Sequence, residues 1–378
     1  MHRAYPLAFV AALICSWMAQ AQAQAAEPAK RATENVILYM TDGLRWQEVF
    51  NGAEEALMTE DAGGVKNVAE LKAKFWRDTP AERRAALMPF FWSVLAKQGQ
   101  VFGNQAKGSM AKVTNGMHFS YPGYNETLCG FADPRIDSND KKPNHNVTVF
   151  EWLHRKPAYA GRVAAFGVWD VFPYIFNDRR CGFLVNAARD PLQISDVTPR
   201  IALLNELKAQ DTRYWAAEPF DSLTIFTALE YMKLKKPKLM FLSINETDSW
   251  GHAGRYDLYL DAARRADDCL RMLWETAQSL PEYKGQTSLI FVPDHGRGDA
   301  PVEWKSHGEK IARSEYIWLG VMGPDTPPLG ERENAQPVTQ SQVAATFAAL
   351  VGEDYCAAVP EAAKPIGDVL GATQSASR

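Results

Sequence analysis

The chain has 378 residues, 46% hydrophobic and 23% charged, the composition of a globular protein with a large core. A formal net charge of −4 excludes the strongly basic balance that binds a nucleic-acid polymer or an anionic membrane. A phosphorylated substrate would then need local cations, which metal ions could supply.

The N-terminus reads as a processing segment. His2 and Arg3 precede the apolar run AYPLAFVAALICSWM, and AQAQAQAA offers A-x-A cleavage options near Ala23 or Ala25. The run is short for a membrane span, so residues 1–25 are expected to be a cleaved signal peptide of a periplasmic or secreted protein with no membrane attachment afterwards. Leu13-Ile14 before Cys15 does not suit lipidation, which wants a small residue there. Residues 26–378 are expected to form one catalytic domain. Cys129, Cys181, Cys269 and Cys356 remain after cleavage, an even count that permits two disulfides in three connectivities. None has the C-x-x-C spacing of a thiolate zinc site.

Further along, NVILYM (35–40) is a continuous apolar run, as expected of a strand buried on both faces. MPFFWSVLAKQG (88–99) reads as a helix ending at Gly. Region 105–160 is rich in Gly, Asn, Pro and Asp and reads as a long functional loop with a helix near 147–153. RVAAFGVW (162–169) is the next strand run, and 170–222 is mixed, as in a cap or insertion. KLMFLSI (238–244), SLIFVP (288–293) and YIWLGVMG (316–323) are further strand runs. Between them, residues 255–280 place Leu258, Ala262, Ala266, Cys269, Leu270 and Leu273 at helical intervals. VTQSQVAATFAALVGE (338–353) is a last helix, with Thr339 or Ser341 near its start. Strands alternating with helices predict an α/β fold, a mainly parallel central sheet with helices on both faces and inserted cap loops. Ligands of such sheets bind outside the carboxyl ends of the strands.

Chemistry-bearing residues sit at those ends. Asp42 follows the first strand run, Asp248 and His252 follow the run at 238–244, and Asp294 and His295 follow the run at 288–293, with His307 beyond. A four-residue separation lets Asp248 and His252 converge from one helical turn. Three Asp and three His suffice for two divalent metals once a hydroxyl joins them, and Ser120 in HFSYPGYNE is that hydroxyl. Mixed Asp/His coordination suits Zn²⁺, with Mn²⁺ or Fe as contenders, whereas Mg²⁺ or Ca²⁺ would favour oxygen alone.

The ordered motifs YMTDG, FSYPGYNETLCG, NETDSWGH, VPDHG and SHG, within residues 35–323, resemble the alkaline phosphatase superfamily, nearest its nucleotide pyrophosphatase/phosphodiesterase branch. The resemblance implies an α/β/α sandwich with two zinc ions at the strand ends. By matching motif, Asp42, Ser120, Asp294 and His295 would hold one metal, and Asp248, His252 and His307 the other. It further implies a hydrolase of phosphoric esters, acting on a small-molecule diester, pyrophosphate or monoester, with Ser120 as a metal-bound nucleophile. An Asn commonly assists beside the nucleophile in that family, which makes Asn125 and Asn139 candidates for substrate binding, with Arg45 behind them. The branch has Thr-Phe-Pro-Asn-His where this chain has Ser120-Tyr121-Pro122-Gly123-Tyr124, so the substrate pocket is expected to differ while the reaction centre does not. A phosphoglycerate mutase-like isomerase uses a similar site, but its substrate is cytosolic. A formylglycine sulfatase needs an Arg that does not follow Ser120-Tyr121-Pro122. A metal-binding protein without activity would not need the full ligand set.

Overall fold

The segment NVILYMT forms the strand around which the molecule is arranged. In the computed structural model, which describes residues 31–371, the sheet strands in chain order are β1 (Asn35–Thr41), β2 (Gly99–Phe102), β3 (Val163–Gly167) and β4 (Leu184–Ala187). They are followed by β5 (Leu239–Ile244), β6 (Thr287–Pro293), β7 (Leu319–Met322) and β8 (Gly330–Glu331). The spatial order is β4-β3-β5-β1-β6-β7-β2-β8. β7 runs against both its neighbours, and every other pairing is parallel. The leader expected over residues 1–25 lies outside the described residues.

The helices that matter for the site are α1 (Ser120–Cys129), α2 (Val149–His154), α3 (Pro199–Gln210), α4 (Asp221–Lys235), α5 (Glu246–His252), α6 (Tyr256–Ser279) and α7 (Gln342–Leu350). Successive side chains of a strand point to opposite faces, and β1 shows the consequence. Ile37 and Tyr39 enter one core with Ala228 and Met232 of α4 and Leu270 and Leu273 of α6. Val36, Leu38 and Met40 enter the other with Tyr124 and Leu128 of α1, Phe150 of α2 and Phe347 of α7. β1, β5 and β6 are buried at every residue, which is why apolar side chains dominate their sequences on both faces. Among the described residues no helix is long and apolar enough to cross a membrane.

Three expectations change. The 105–160 region is not all loop, since α1 lies within it, and 170–222 contributes β4 to the sheet edge as well as α3. No disulfide forms among the described cysteines: Cys129, Cys181, Cys269 and Cys356 are free thiols. Cys269 packs in the core on one side of the sheet and Cys129 in the core on the other, so the intervening strands keep that pair apart.

Register sets the site. Thr41, the last residue of β1, lies opposite Ile244 of β5 and Pro293 of β6, so the three central strands end level. The next residues continue the ladder, with Asp42 N–H donating to Ile244 O (3.0 Å) and Asp294 N–H to Thr41 O (3.3 Å). Two carboxylates from segments 252 positions apart thus emerge side by side.

Candidate active site

Asp42, Asp294 and His295 form a tight group at these strand ends, each with a ligand atom within 4.8 Å of the others. His295 Nε2 stands 3.2 Å from Asp42 Oδ1 and 3.6 Å from Asp294 Oδ2. All three atoms are buried and have no hydrogen-bond partner within the protein. Buried polar atoms are ordinarily satisfied, so three orphans facing one point mark a place built for a ligand. Their spacing matches about 3.3 Å between neighbouring donors of a four-coordinate ion with bonds of roughly 2.0–2.2 Å.

The remaining atoms of these side chains are fixed. Gly43 N–H donates to Asp294 Oδ1 (3.0 Å), and Tyr124 OH reaches Asp42 Oδ2 (3.4 Å) from its own bond with Ser243 Oγ (2.7 Å). His295 Nδ1 donates to Gly296 O (2.8 Å), which leaves the lone pair on Nε2. Gly43 has φ +57, and a Cβ there would sit 3.0 Å from both Asp248 Oδ1 and Arg297 Nη1, so only glycine fits the turn.

A second group faces the first. Asp248 and His252 project from α5 one turn apart, with His252 Nε2 3.3 Å from Asp248 Oδ2. His307 Nε2 lies 3.0 Å from His252 Nε2 and 3.5 Å from Asp248 Oδ1. His307 Nδ1 bonds His118 O at 3.0 Å, again leaving Nε2 toward the site. The His295 ring stacks on His307, 3.8 Å between centroids, and groups with it and Asp248 as readily as with Asp42 and Asp294. His295 therefore stands at the seam between the two groups.

The electrostatics agree with the crowding. Burial, then the charge of Asp248, pushes the Asp42 carboxyl well above its ordinary range, and burial with Asp42 does the same to Asp294. Burial also holds His307 well below the usual imidazole value, with His295 adding to it. Burial works against the charge of Asp248, but the Arg297 guanidinium and the surrounding histidines outweigh it and keep that carboxyl below the usual range.

Arg297 was not visible from the sequence motifs. It is fully buried, its Nε donates to Trp304 O (3.0 Å) and its Nη2 to Lys305 O (2.8 Å), which aims Nη1 at Asp248 Oδ1. The only hint was a cation two residues beyond His295.

Ser120 is the first residue of α1, and its side chain opens on a cavity of about 520 Å³ that Asp42, Asp248 and His252 also line. α1 comes this close because residue 123 is Gly: a Cβ there would lie 2.2 Å from Asp294 O. Glu126, buried in the same helix, accepts from Thr114 N (2.9 Å), Asn115 N (3.0 Å) and Ser341 N (3.1 Å), pinning the segment that leads into Ser120. Asn139 lines the cavity too. Its Oδ1 accepts from Tyr121 N–H (3.0 Å), so its Nδ2 is the end available as a donor. Asn125 is a correction. It is fully buried, with its Oδ1 taken by Asn144 Nδ2 (3.1 Å) and Asn146 Nδ2 (3.0 Å), and it does not reach the cavity. Arg45 is likewise buried away from it, against Glu48 and Glu54. Trp169, Trp215 and Glu218 also line the cavity, and they left no trace in the sequence motifs.

Residues 57–319 match the family described as type I phosphodiesterase / nucleotide pyrophosphatase. The chain belongs to that family. The matched stretch contains Ser120, Asp248, His252, Asp294, His295 and His307, while Asp42 precedes it. No curated protein matches the chain in sequence. Solved structures share the fold at low identity. The lipoteichoic acid synthase LtaP from Listeria monocytogenes is 12% identical, with TM-score 0.56, over 92% of this chain and 77% of that one. Wild-type alkaline phosphatase PafA is 11% identical, with TM-score 0.55, over 90% and 99%. The murine ectonucleotide pyrophosphatase/phosphodiesterase 5, in complex with AMP, is 13% identical, with TM-score 0.52, over 89% and 100%. The alkaline phosphatase-like sandwich expected from the motifs is the fold observed, and family and fold together support hydrolysis of phosphoric esters.

Proposed function

We propose that the protein is an exported phosphodiesterase that uses Ser120 as nucleophile and holds two divalent metals, zinc in the first instance. The observation that carries this reading is the orphaned, buried trio Asp42 Oδ1, Asp294 Oδ2 and His295 Nε2, whose Asp42 lines one cavity with Ser120. Asp42, Ser120, Asp294 and His295 would hold one metal, and Asp248, His252 and His307 the other, with His295 bordering both. Bound metals would supply positive charge for the nucleophile, the phosphoryl oxygens and the departing oxygen.

The chain's own groups do the rest. Ser120 Oγ forms a bond to phosphorus as its proton leaves, and the bond from phosphorus to the leaving oxygen breaks. Water then cleaves the Oγ–phosphorus bond and restores the hydroxyl. The N-terminus of α1 would add partial positive charge to this transfer, and Asn139 Nδ2, its Oδ1 being taken by Tyr121 N–H, would donate to a phosphoryl oxygen. Diesters are favoured over monoesters for a reason of charge. None of the described residues lining the cavity is Lys or Arg, and Glu218 adds a carboxylate, so nothing in the wall compensates the second charge of a monoester. Export rests on the residue 1–25 pattern alone.

Turnover of bis-p-nitrophenyl phosphate should exceed that of p-nitrophenyl phosphate, stop with a chelator and return with Zn²⁺. Ser120→Ala should lower kcat by a factor of about 10³ or more while bound metal, counted by mass spectrometry, stays above half. Chelator-insensitive turnover, or full activity in Ser120→Ala, would refute the reading.

A further inference from the structure

His118 is a histidine that the two proposed metal groups leave unused, and it stands two residues before Ser120. Its backbone is left-handed, with φ +55, a conformation that residues other than glycine seldom adopt and β-branched residues least of all. Asn115 holds the turn: its Oδ1 accepts from Met117 N–H (2.9 Å) and from His118 N–H (2.9 Å). Asn115 is held in its turn, since its N–H (3.0 Å) and its Nδ2 (2.9 Å) both donate to Glu126 Oε2 of α1. The ring is anchored as well. His118 Nδ1 lies 3.1 Å from Ser314 Oγ, a buried hydroxyl that is also 3.0 Å from Gly308 O and 2.7 Å from Ile311 O. The hydroxyl has one proton and the carbonyls only accept, so Oγ donates to a carbonyl and accepts from Nδ1.

His118 is thus tied on one side to α1 and on the other to the segment just beyond His307. Its carbonyl is aimed at His307, and accepts from His307 Nδ1 at 3.0 Å. That bond is what turns His307 Nε2 toward Asp248 and His252. Reversing φ at His118 would swing the carbonyl off the ring while Asn115 kept hold of the peptide before it. Hollows of about 690 Å³, lined by Met117, Phe119 and His307, and about 510 Å³, lined by Gly116, His118 and Ile311, open beside this segment. Hydrogen bonds, more than packing, therefore hold it. We infer that His118 is a positioning residue whose left-handed backbone aims the carbonyl that orients His307, and so sets the affinity of the metal group built on Asp248, His252 and His307. Because Ser120 follows two residues later, the same turn fixes that ligand relative to the nucleophile. This rests on the two-metal reading above.

The test is competition for Zn²⁺ between the full chain and a fluorescent chelator, in wild type, His118→Val and His118→Asn. Asn tolerates the left-handed conformation and Val does not. His118→Val should weaken one of the two zinc steps by roughly tenfold or more and spare the other, whereas His118→Asn should keep both within about threefold of wild type. His118→Ala should fall between them, and it takes the place of His118→Val if that variant does not fold. Two unshifted steps, equal shifts of both steps, or a loss in His118→Asn as large as in the disfavoured variant would overturn the inference and leave the two-metal reading standing. Wild-type protein that takes up fewer than two zinc ions would remove that reading and this inference with it.

Discussion

Arg297 braces the candidate site from behind, buried against Asp248. Its guanidinium is locked by Trp304 O and Lys305 O, and it holds Asp248 Oδ1 in the place where that oxygen faces His307. Groups that orient metal ligands typically contribute 10- to 100-fold to affinity. Arg297→Met should therefore weaken one metal by about that factor while the Asp42, Asp294 and His295 group keeps the other. Competition with a fluorescent zinc chelator would read this as one shifted and one unshifted step, and two unshifted steps would refute it. The candidate ligands were readable in the sequence because each follows a buried strand or sits in a short motif. Arg297 and Glu218 were not, because nothing local separates an Arg that orients a carboxylate, or a Glu that faces a pocket, from the many that pair on the surface. Asn125 misled for a related reason: closeness to Ser120 in sequence says nothing about which way a helical side chain points.

At the scale of elements, periodic amphipathic stretches were the most readable. α6 runs Tyr256–Ser279 where its apolar spacing predicted 255–280. α1 escaped because Ser120, Pro122, Gly123 and Asn125 read as a loop, and tertiary contacts through Gly123 and Glu126 hold it helical. α6 also carries an ionisable group that joins elements. Asp267 is buried and accepts from Phe90 N–H (2.8 Å) and Phe91 N–H (2.7 Å), capping the neighbouring helical segment from outside. Burial raises its pKa to about 6 despite those bonds. The folded chain thus holds this proton more tightly than the unfolded one, so the stability contributed here is complete below pH 4 and is lost as pH rises through 6. Asp267→Asn keeps one acceptor and cannot ionise. Relative to wild type it should gain on the order of 2 kcal/mol between pH 4 and pH 7.5 in urea unfolding. A difference that stays flat across that range would show that the two N–H bonds already balance the buried charge.

For the whole molecule, the decisive feature is that three level strand ends concentrate unpartnered buried polar atoms at the centre of the sheet. β1, β5 and β6 end in register, and the segments that follow them, α5 among these, deliver Asp42, Asp248, Asp294 and His295 to one place. The same strands separate the two cores, so disorder at their ends loosens both. Carboxylates crowded without a cation repel, and the orphaned atoms forgo hydrogen bonds they would make with water in the unfolded chain. Ions that bind only the folded state should therefore stabilise it globally. At a hundred times its dissociation constant each metal contributes about 2.7 kcal/mol, and two should raise Tm by roughly 10 °C in a chain of this size. Thermal unfolding with excess Zn²⁺ and with EDTA measures the gap directly. Asp294→Asn, which alters a ligand without changing side-chain volume, should shrink it by about half because one of the two groups survives. An equal Tm with and without EDTA would mean that the strand-end carboxylates are satisfied by the protein alone, and the two-metal reading would fall with that result.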